Sequence, residues 1–489
     1  MEANTDNTSS QSQSQSQQLE DEDRLSTLTD DILLSILGRV SLPTAASTCV
    51  LSTRWRHLPW CLPELSINVK EFLSGPCRDP AEADDMEEAM VSLTKATRSF
   101  LTDDHQREST ISSLHLTLYL INAFLCEIGS LLGDAIESGL LKDLDLSLLD
   151  ETKPGACSDE DRLQRAQEMG TFFGAYPSVL CCLTKLSLHN ANFNKLDMHH
   201  VLFDCCKQLK HLSLCHCDTG ANSVFKIDAP NSKLCVLETE KCRFERIDLV
   251  CLPKLEKFAC FTWESEYVPV TFGFVPSLGK IKLACGATYD QSPFKLSELL
   301  HGTSVHTLTL DFEGEILWLQ PEMEELRTAF NKLKKLSLRG IFVEFDMLWM
   351  TAFLVAAPSL ETLRIQVWEH ACDVGEFRGG IYRDRRTPQW EMRFDSSDNR
   401  LLKELEFGGF RSLEQQFTFI RSLLERSANL QKIILRGDED CCYCDALDAS
   451  LRPSKFSKKK DDQEMVVERI RDGIFSPEII FDEYWSLNI

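Results

Sequence analysis

The sequence predicts an α/β protein in which a small all-helical module precedes an irregular repeat solenoid and a C-terminal α/β element. Three observations support this prediction. Residues 23–65 carry short apolar patterns of helical period that cannot bury their faces on one another. The pattern L-x-x-L-x-L recurs many times between residues 111 and 435. Residues 402–437 show a succession of strand, helix and strand patterns.

Composition and charge limit the classes of function. Apolar residues make up 43% of the 489 residues, which is enough for a large core. The 76 acidic and 52 basic residues give a formal charge of −24, and such a field repels phosphate backbones and anionic lipids. We therefore expect neither nucleic acid nor a membrane as a partner.

The location of the protein follows from two absences in the sequence. No apolar run approaches the roughly 20 residues needed to span a bilayer, and the polar, acidic N-terminus has no apolar signal segment. We expect the protein in the cytoplasm, the nucleus or both. Its 20 cysteines should then be reduced thiols, because disulfides are rare in those compartments.

The first 110 residues divide into three segments. Residues 1–20 are rich in Ser and Gln and are expected to be disordered, since they cannot bury enough apolar surface. Residues 21–66 form the helical module, and residues 67–110 form a helical connector. An amphipathic helix is predicted within the connector, with apolar side chains on or near one face: Met86, Met90, Leu93 and Leu101.

The module should contain two helices. The first is expected to begin near Thr29, whose side chain can accept a hydrogen bond from a first-turn N–H. Asp30 and Asp31 suit the positive end of this helix. A second helix should start around Pro43, because Pro is tolerated in a first turn. The first helix should present one apolar stripe, formed by Ile32, Leu33, Ile36, Leu37 and Val40.

Residues 24–65 resemble the F-box in the form that is common in plant F-box proteins. The resemblance rests above all on the run V-L-S-x-R-W-R-x-L at residues 50–58. Three positions depart from the family pattern: Thr29 and Ser41 stand where Pro is frequent, and Pro43 stands where a basic residue is usual. These departures affect the start of the first helix and the loop between the helices, and they leave the apolar stripe whole.

The repeated pattern has twelve copies, whose starts are mostly 21 to 30 residues apart. This spacing is typical of leucine-rich repeats, in which each unit contributes one short strand and a returning segment. Cys217 and Cys242 lie where this repeat class places Asn or Cys to hydrogen-bond the turn. The copies begin at Ile111, Leu141, Leu183, Leu209, Leu234, Leu255, Leu278, Val305, Leu333, Leu360, Leu402 and Leu430.

Residues 111–400 are therefore predicted to form the repeat array, but two of its intervals are about 42 residues long. In each interval, residues 141–183 and 360–402, either an unrecognised repeat or an inserted loop is expected. The second interval holds residues 377–394, whose Arg and aromatic content suits a protein-binding loop, although a solvated hairpin is the alternative. The candidate substrate-binding residues are Arg378, Tyr382, Arg383, Arg385, Arg386 and Trp390.

Residues 401–489 form the last predicted region. Within it, residues 402–437 resemble the FBD region that follows leucine-rich repeats in many plant F-box proteins. The pattern predicts a strand, a helix and a strand, with Phe417, Ile420 and Leu424 on one face of the helix.

Two cysteine clusters are the best candidates for a metal site, but neither has the paired C-x₂-C spacings of a zinc finger or ribbon. We expect buried or turn cysteines instead. No phosphate-binding, nucleophile-elbow or zinc-protease motif is present. The clusters are Cys205, Cys206, His211, Cys215, His216 and Cys217, and Cys441, Cys442 and Cys444. A separate group of residues near the strands predicts a locally basic surface: Lys185, Lys210, His211, Lys280, Lys282, Lys334 and Lys335.

The F-box resemblance implies that the module binds a Skp-type adaptor, which links to a cullin, while the repeats hold an unidentified protein for ubiquitin transfer. The chain would then be the substrate-recognition subunit of an SCF-type ubiquitin ligase, without catalytic residues, cofactor or metal. The alternative is a non-catalytic leucine-rich-repeat scaffold with a degenerate F-box. We expect Trp55→Ala or Leu33→Asp to abolish adaptor co-purification. Residues expected to contact the adaptor are Leu28, Ile32, Leu33, Ile36, Leu37, Val50, Leu51, Arg54, Trp55 and Leu58.

Overall fold

The computed structural model describes residues 25–482, apart from residues 26, 74–82, 103–109, 151, 153–156, 221–222, 264, 287–291, 315–316, 323, 344, 369–400, 438–455, 457–458 and 472–476. Three predicted features therefore lie outside the described residues. They are the tail at residues 1–20, the candidate loop at residues 377–394 and the cysteines at residues 441–444.

The described residues form a parallel β-sheet of fourteen strands. The described strands are β1 Glu64–Asn68, β2 Ile111–Tyr119, β3 Leu141–Leu149, β4 Leu183–His189, β5 His211–Cys215, β6 Val224–Asp228, β7 Val236–Glu240, β8 Arg246–Cys251, β9 Lys257–Phe261, β10 Val270–Phe274, β11 Lys280–Ala284, β12 Thr307–Asp311, β13 Lys335–Phe342, β14 Thr362–Trp368, β15 Glu404–Gly408, β16 Lys432–Arg436 and β17 Glu478–Asp482. The sheet order is β1-β2-β3-β4-β5-β7-β9-β11-β12-β13-β14-β15-β16-β17. Each of the twelve predicted units contributes one of these strands, so the repeat prediction is confirmed.

The leucine pattern forms a continuous core because neighbouring strands are in register. Leu186 pairs with Leu212 of the next strand, and both side chains are buried. Alternate residues of a strand share a face, so the leucines of each unit lie on the side of the sheet that the return segments cover. We call the opposite side the open face; on β5 it consists of His211, Ser213 and Cys215.

Helices return the chain between many of the strands. The described helices are α1 Asp30–Leu37, α2 Leu42–Ser47, α3 Ala83–Leu101, α4 Asn122–Glu137, α5 Asp159–Ala175, α6 Pro177–Cys182, α7 Leu296–Leu299, α8 Glu324–Ala329, α9 Thr351–Ala356, α10 Glu414–Arg426 and α11 Lys460–Ile470. The amphipathic helix predicted in the connector is confirmed as α3, with Met90, Leu93 and Leu101 buried. Among the described residues, no helix combines the length and apolar character that a membrane crossing requires.

The main sheet extends beyond the predicted repeats at both ends. It begins with β1, which pairs in parallel with β2, so α3 of the predicted connector is the return helix of a first repeat. It ends with β17, which pairs with β16. Between the last two predicted units, β15, α10 and β16 confirm the expected strand, helix and strand, and all three predicted helix residues are buried.

A second, three-stranded parallel sheet in the order β10-β8-β6 was not predicted. Its strands alternate along the chain with those of the main sheet from β5 to β11, so each one is the return segment of a repeat. The predicted units there start at residues 209, 234, 255 and 278, which are the shortest intervals in the array. Short intervals favour an extended return, because a strand connects the two ends of a repeat with fewer residues than a helix.

Among the described residues, neither long interval adds a strand to the main sheet. β3 pairs directly with β4, and the chain between them forms α5 and α6. α5 begins with a capping box in which Ser158 and Asp161 exchange hydrogen bonds. β14 pairs directly with β15. The first interval therefore contains a long helical return rather than an unrecognised repeat.

A ladder of turns follows the strands at the carboxyl edge of the sheet. The residues directly after β4, β5, β7 and β9 all have positive φ: Asn190, His216, Lys241 and Thr262. The thiol of Cys217 donates to the carbonyl of Leu188 at 3.5 Å, and that of Cys242 to the carbonyl of Leu214 at 3.3 Å. The predicted role of these two cysteines in the turns is therefore confirmed.

Candidate docking surfaces

The predicted apolar stripe of α1 is divided between two faces. Leu33 and Leu37 are buried and belong to the same apolar cluster as Trp55, Leu58 and Leu65. The chain returns over this side of α1 through residues 55–65, so four of the predicted adaptor-binding residues form the core of the module itself. This corrects the prediction of one exposed stripe, because a partner cannot contact those four side chains while the module is folded.

Of the other predicted residues, Leu28 is partly buried against the core, whereas four apolar residues are exposed. Ile32 is 47% and Ile36 39% exposed on α1, one helical turn apart. Val50, which ends the 3-10 helix after α2, is 88% exposed, and the following Leu51 is 64% exposed. We call these four residues the apolar patch. Large apolar side chains this open to water are typical of a protein-binding surface.

Arg54 connects the two parts of this surface. Its Nη2 atom is 2.6 Å from Oδ1 of Asp30 and donates a 2.5 Å hydrogen bond to the carbonyl of Leu28. Arg54 was predicted to contact the adaptor, but in the free chain it binds the start of α1. It thereby holds the segment that carries Val50 and Leu51 against the first turn of α1.

The departures from the F-box pattern have local structural roles, with one exception. Ser41 caps α2, because its Oγ accepts a hydrogen bond from the N–H of Thr44 at 3.4 Å, and Pro43 lies in the first turn of that helix, as predicted. Thr29 occupies the N-cap position of α1, but its side chain makes no capping hydrogen bond, so the predicted cap is wrong.

The predicted substrate-binding loop lies outside the described residues, but the open face of the main sheet is described throughout. Ion pairs between neighbouring strands cover much of it. Glu238 on β7 accepts from His211 at 3.0 Å and from Lys257 at 2.9 Å. At the other end, Glu406 on β15 lies 2.7 Å from Arg364 and 2.8 Å from Arg436. On β11 and β13 the open face carries three lysines that belong to none of these pairs: Lys280, Lys282 and Lys335.

The hydrogen bonds from His211 and Lys257 lower the pKa of Glu238 from 4.5 to about 2. A carboxyl whose pKa is lowered by folding stabilises the protein above its unfolded pKa, and this contribution disappears as the pH falls towards the folded pKa. We expect Glu238→Gln to lower the free energy of unfolding at pH 7 by about 1 kcal/mol, allowing for solvent screening of this partly exposed pair.

Urea unfolding of the wild type and Glu238→Gln at pH 7, 5 and 3 checks this expectation. The difference between the two midpoints should shrink from pH 5 to pH 3, as the wild-type carboxyl approaches protonation. Glu240→Gln is the matched control, since Glu240 is on the same strand but exposed. A pH-independent difference for Glu238→Gln would contradict the assigned ion pair.

The described cysteine cluster shows no arrangement for a metal. His211 is bonded to Glu238, and Cys217 to backbone carbonyls of its turn. Burial raises the pKa of Cys206, Cys215 and Cys217 to about 12, so all three thiols remain protonated at neutral pH. Within the described ranges, no three His, Cys, Asp or Glu side chains converge as metal ligands would.

A cavity of about 610 Å³ lies between β10 and α7. Its walls are mixed: Val270, Phe272, Phe294 and Leu299 are apolar, and the charged side chains include Arg246 and Glu298. This cavity was not predictable from the sequence, because one wall is a strand of the small sheet that the repeat pattern does not reveal.

Comparisons with known proteins agree with this architecture. The family model described as the At1g61320/AtMIF1 LRR domain matches residues 174–469, which is more than half of the chain. A protein of Arabidopsis thaliana named as an F-box/LRR-repeat protein, At3g18150, is 24% identical over 433 residues, covering 84% of this chain and 86% of that protein. The crystal structure of the yeast Rad7 and Elc1 complex aligns with 89% of this chain and 92% of the matched chain at 14% identity. Its TM-score of 0.28 is too low to support a statement about fold or partners.

Proposed function

This chain belongs to the leucine-rich-repeat family represented by the plant protein At1g61320/AtMIF1, and on that premise we propose that it is the substrate-recognition subunit of an SCF-type cullin ubiquitin ligase. The N-terminal module docks to a Skp-type adaptor and through it to a cullin. The repeats bind the protein to be ubiquitylated, and the chain itself catalyses no reaction.

The observation that carries the proposal is the apolar patch formed by Ile32, Ile36, Val50 and Leu51. Its members are held in place from behind, because Leu33 and Leu37 fix α1 to the core and Arg54 fixes the following segment. A pre-organised surface of this kind loses little conformational entropy on binding. Full burial of a large apolar side chain contributes roughly 1.5–3 kcal/mol, so four of them can offset the cost of association.

Two further findings support the proposal. The Arabidopsis relative that matches over 84% of the chain carries F-box/LRR-repeat in its name. The module is also continuous with the repeats, because Leu65 of β1 belongs to the same apolar cluster as Trp55. This is the arrangement that a receptor needs if it is to bind an adaptor and a substrate at the same time.

The test is co-purification of the full chain with a Skp-type adaptor. We expect the double variant Val50→Asp/Leu51→Asp to weaken adaptor binding about 100-fold, because two carboxylates would have to be buried in place of two apolar groups. Both residues are exposed in the free chain, so the variant should fold normally. The matched control is Val224→Asp/Met465→Asp, which places the same charges on exposed apolar residues outside the module.

The results separate the proposal from its alternative. If Val50→Asp/Leu51→Asp captured the adaptor as well as the wild type does, the apolar patch would not be the docking site. Failure of the wild-type chain to capture the adaptor would favour the leucine-rich-repeat scaffold with a degenerate F-box. A ubiquitylation assay with adaptor, cullin and conjugating enzyme then shows whether modification of a bound protein depends on the patch.

A further inference from the structure

We propose that the open face across β11, β12 and β13 binds a short carboxylate-rich segment of a partner protein. We call this surface the lysine patch, defined by Lys280, Lys282, Lys335 and Arg339. The proposal deepens the proposed function, on which it rests only in identifying that partner as the substrate.

The lysine patch has a charge opposite to that of the protein as a whole. Its four cations face a single carboxylate, Asp311, at the open-face positions of β11 to β13. The whole chain has a formal charge of −24, so this concentration of positive charge is not a general property of the surface. A local field of this sign attracts anionic segments and repels most of the protein's own surface.

Lys282 is the clearest example of a patch cation that forms no ion pair with another described residue. Its Nζ atom lies 4.7 Å from the centre of the Phe261 ring, and the side chain is half-buried. Within the described part of the chain, no carboxylate lies within 4 Å of this ammonium group. Burial and the charge of Arg339 lower the pKa of Lys282 despite the opposing effects of Asp311 and Glu238, and an incoming carboxylate would raise it again. The ring therefore positions the cation while leaving its charge available.

The flanking lysines extend the patch along the sheet. Lys280 pairs with Thr307, and Thr307 with Lys335, so one row across three strands reads Lys, Thr, Lys. Two strand spacings separate the lysines, which places their Cα atoms roughly 10 Å apart. Both side chains are exposed, and neither forms an ion pair with another described residue. Three or four residues of an extended segment would span this distance.

The geometry favours several carboxylates over a single phosphate. Phosphate is best recognised by a convergent site with a free guanidinium fork. In the patch, Arg339 is already engaged, at 3.5 Å from Asp311 and 2.8 Å from Gln366. The remaining cations are lysines, which act as separate point charges spread over two strand spacings. Separate charges of this kind match the side chains of successive Asp or Glu residues.

The test measures binding of fluorescein-labelled deca-glutamate to the purified full chain by fluorescence anisotropy. We expect the double variant Lys280→Glu/Lys335→Glu to weaken binding roughly tenfold or more, because each change removes an attraction and adds a repulsion. The variant Lys282→Gln should weaken deca-glutamate binding severalfold, because it removes one cation of the patch and keeps a polar side chain of similar length. The matched control is Lys142→Glu/Lys226→Glu, which reverses two exposed lysines outside the patch. Its affinity should stay within twofold of the wild type.

A charge-matched peptide of alternating phosphoserine and glycine identifies the ligand class. Binding of this peptide tenfold more tightly than deca-glutamate would overturn the carboxylate assignment in favour of a phosphate site. Equal loss in the patch and control variants, or no binding by the wild type, would overturn the site itself. The adaptor is not needed for this measurement, and Val50→Asp/Leu51→Asp should bind the peptide normally. A negative result for peptide binding at the lysine patch can therefore be distinguished from a negative result for adaptor docking.

Discussion

Replacement of Gly340 by alanine is expected to destabilise the protein by about 3 kcal/mol or more. Gly340 has a φ of +62° at an irregularity in β13, where the pairing register with β14 shifts. An added Cβ would clash with the backbone N of Glu313, would lie 2.9 Å from its Cα and would lie 2.6 Å from Oδ1 of Asp311. Backbone atoms cannot move aside as a flexible side chain can. The substitution would also disturb the 2.9 Å hydrogen bond from the N–H of Gly314 to the carbonyl of Gly340.

Gly302→Ala separates the two causes of this loss. Gly302 also has a positive φ, +75°, but a Cβ there would meet no atom within 4 Å. It should therefore cost only about 1 kcal/mol, from the left-handed backbone alone. Urea unfolding of both variants, with binding of deca-glutamate as a second readout for the nearby lysine patch, checks the comparison. Equal midpoints for the two variants would show that the close approach of neighbouring turns does not restrict Gly340.

Substitution of Leu33 by aspartate is expected to unfold the N-terminal module, at a cost of more than about 4 kcal/mol. Leu33 is fully buried and belongs to the same apolar core as Leu37, Trp55 and Leu58, so a carboxylate there would lose its hydration. The neighbouring variant Ile32→Asp should leave the fold intact, since Ile32 is exposed and an acidic residue is favourable in the first turn of α1. The two substitutions introduce the same charge one residue apart, one in the core of the module and the other on its surface.

Hydrogen exchange of the α1 amides distinguishes the two variants. Leu33→Asp should remove their protection, whereas Ile32→Asp should preserve it. Adaptor capture is expected to fall in both, but for different reasons: loss of the module in the first and damage to the apolar patch in the second. Trp55→Ala should behave like Leu33→Asp, because Trp55 is buried as well. Retained protection in Leu33→Asp would mean that the module does not depend on its own apolar core.

The repeats were predictable because each strand repeats the same local pattern. The first repeat was missed for a different reason, although its signal is present as Leu62, Leu65 and Ile67. The predicted boundary at residue 66 divides this signal, with Leu62 and Leu65 in the F-box and Ile67 in the connector, whereas the module continues directly into β1. β17 carries only Ile479 and Phe481 of the pattern, which is too little to identify a strand without its pairing partner.

The docking surfaces were predictable only in part, because their form depends on tertiary contacts. The periodicity of α1 placed Ile32 and Leu33 in one stripe, but only the returning chain decides which of them is covered. Several basic residues were expected near the strands. The structure shows that His211 is paired with Glu238 and that Lys334 lies 3.6 Å from Glu361. Sequence alone could not separate these from Lys282, because the partners are contributed by neighbouring repeats.

β1 belongs both to the N-terminal module and to the main sheet, and this affects how the proposed ligase would reach its substrate. Leu65 belongs both to the module core and to the first strand of the main sheet, so no flexible joint lies between the two. Seven strand spacings separate β1 from β11, roughly 35 Å along the sheet. Loss or gain of a single repeat would shift a captured client by about 5 Å relative to the cullin. In the proposed ligase, the number of repeats would therefore determine which lysines of the substrate face the conjugating enzyme.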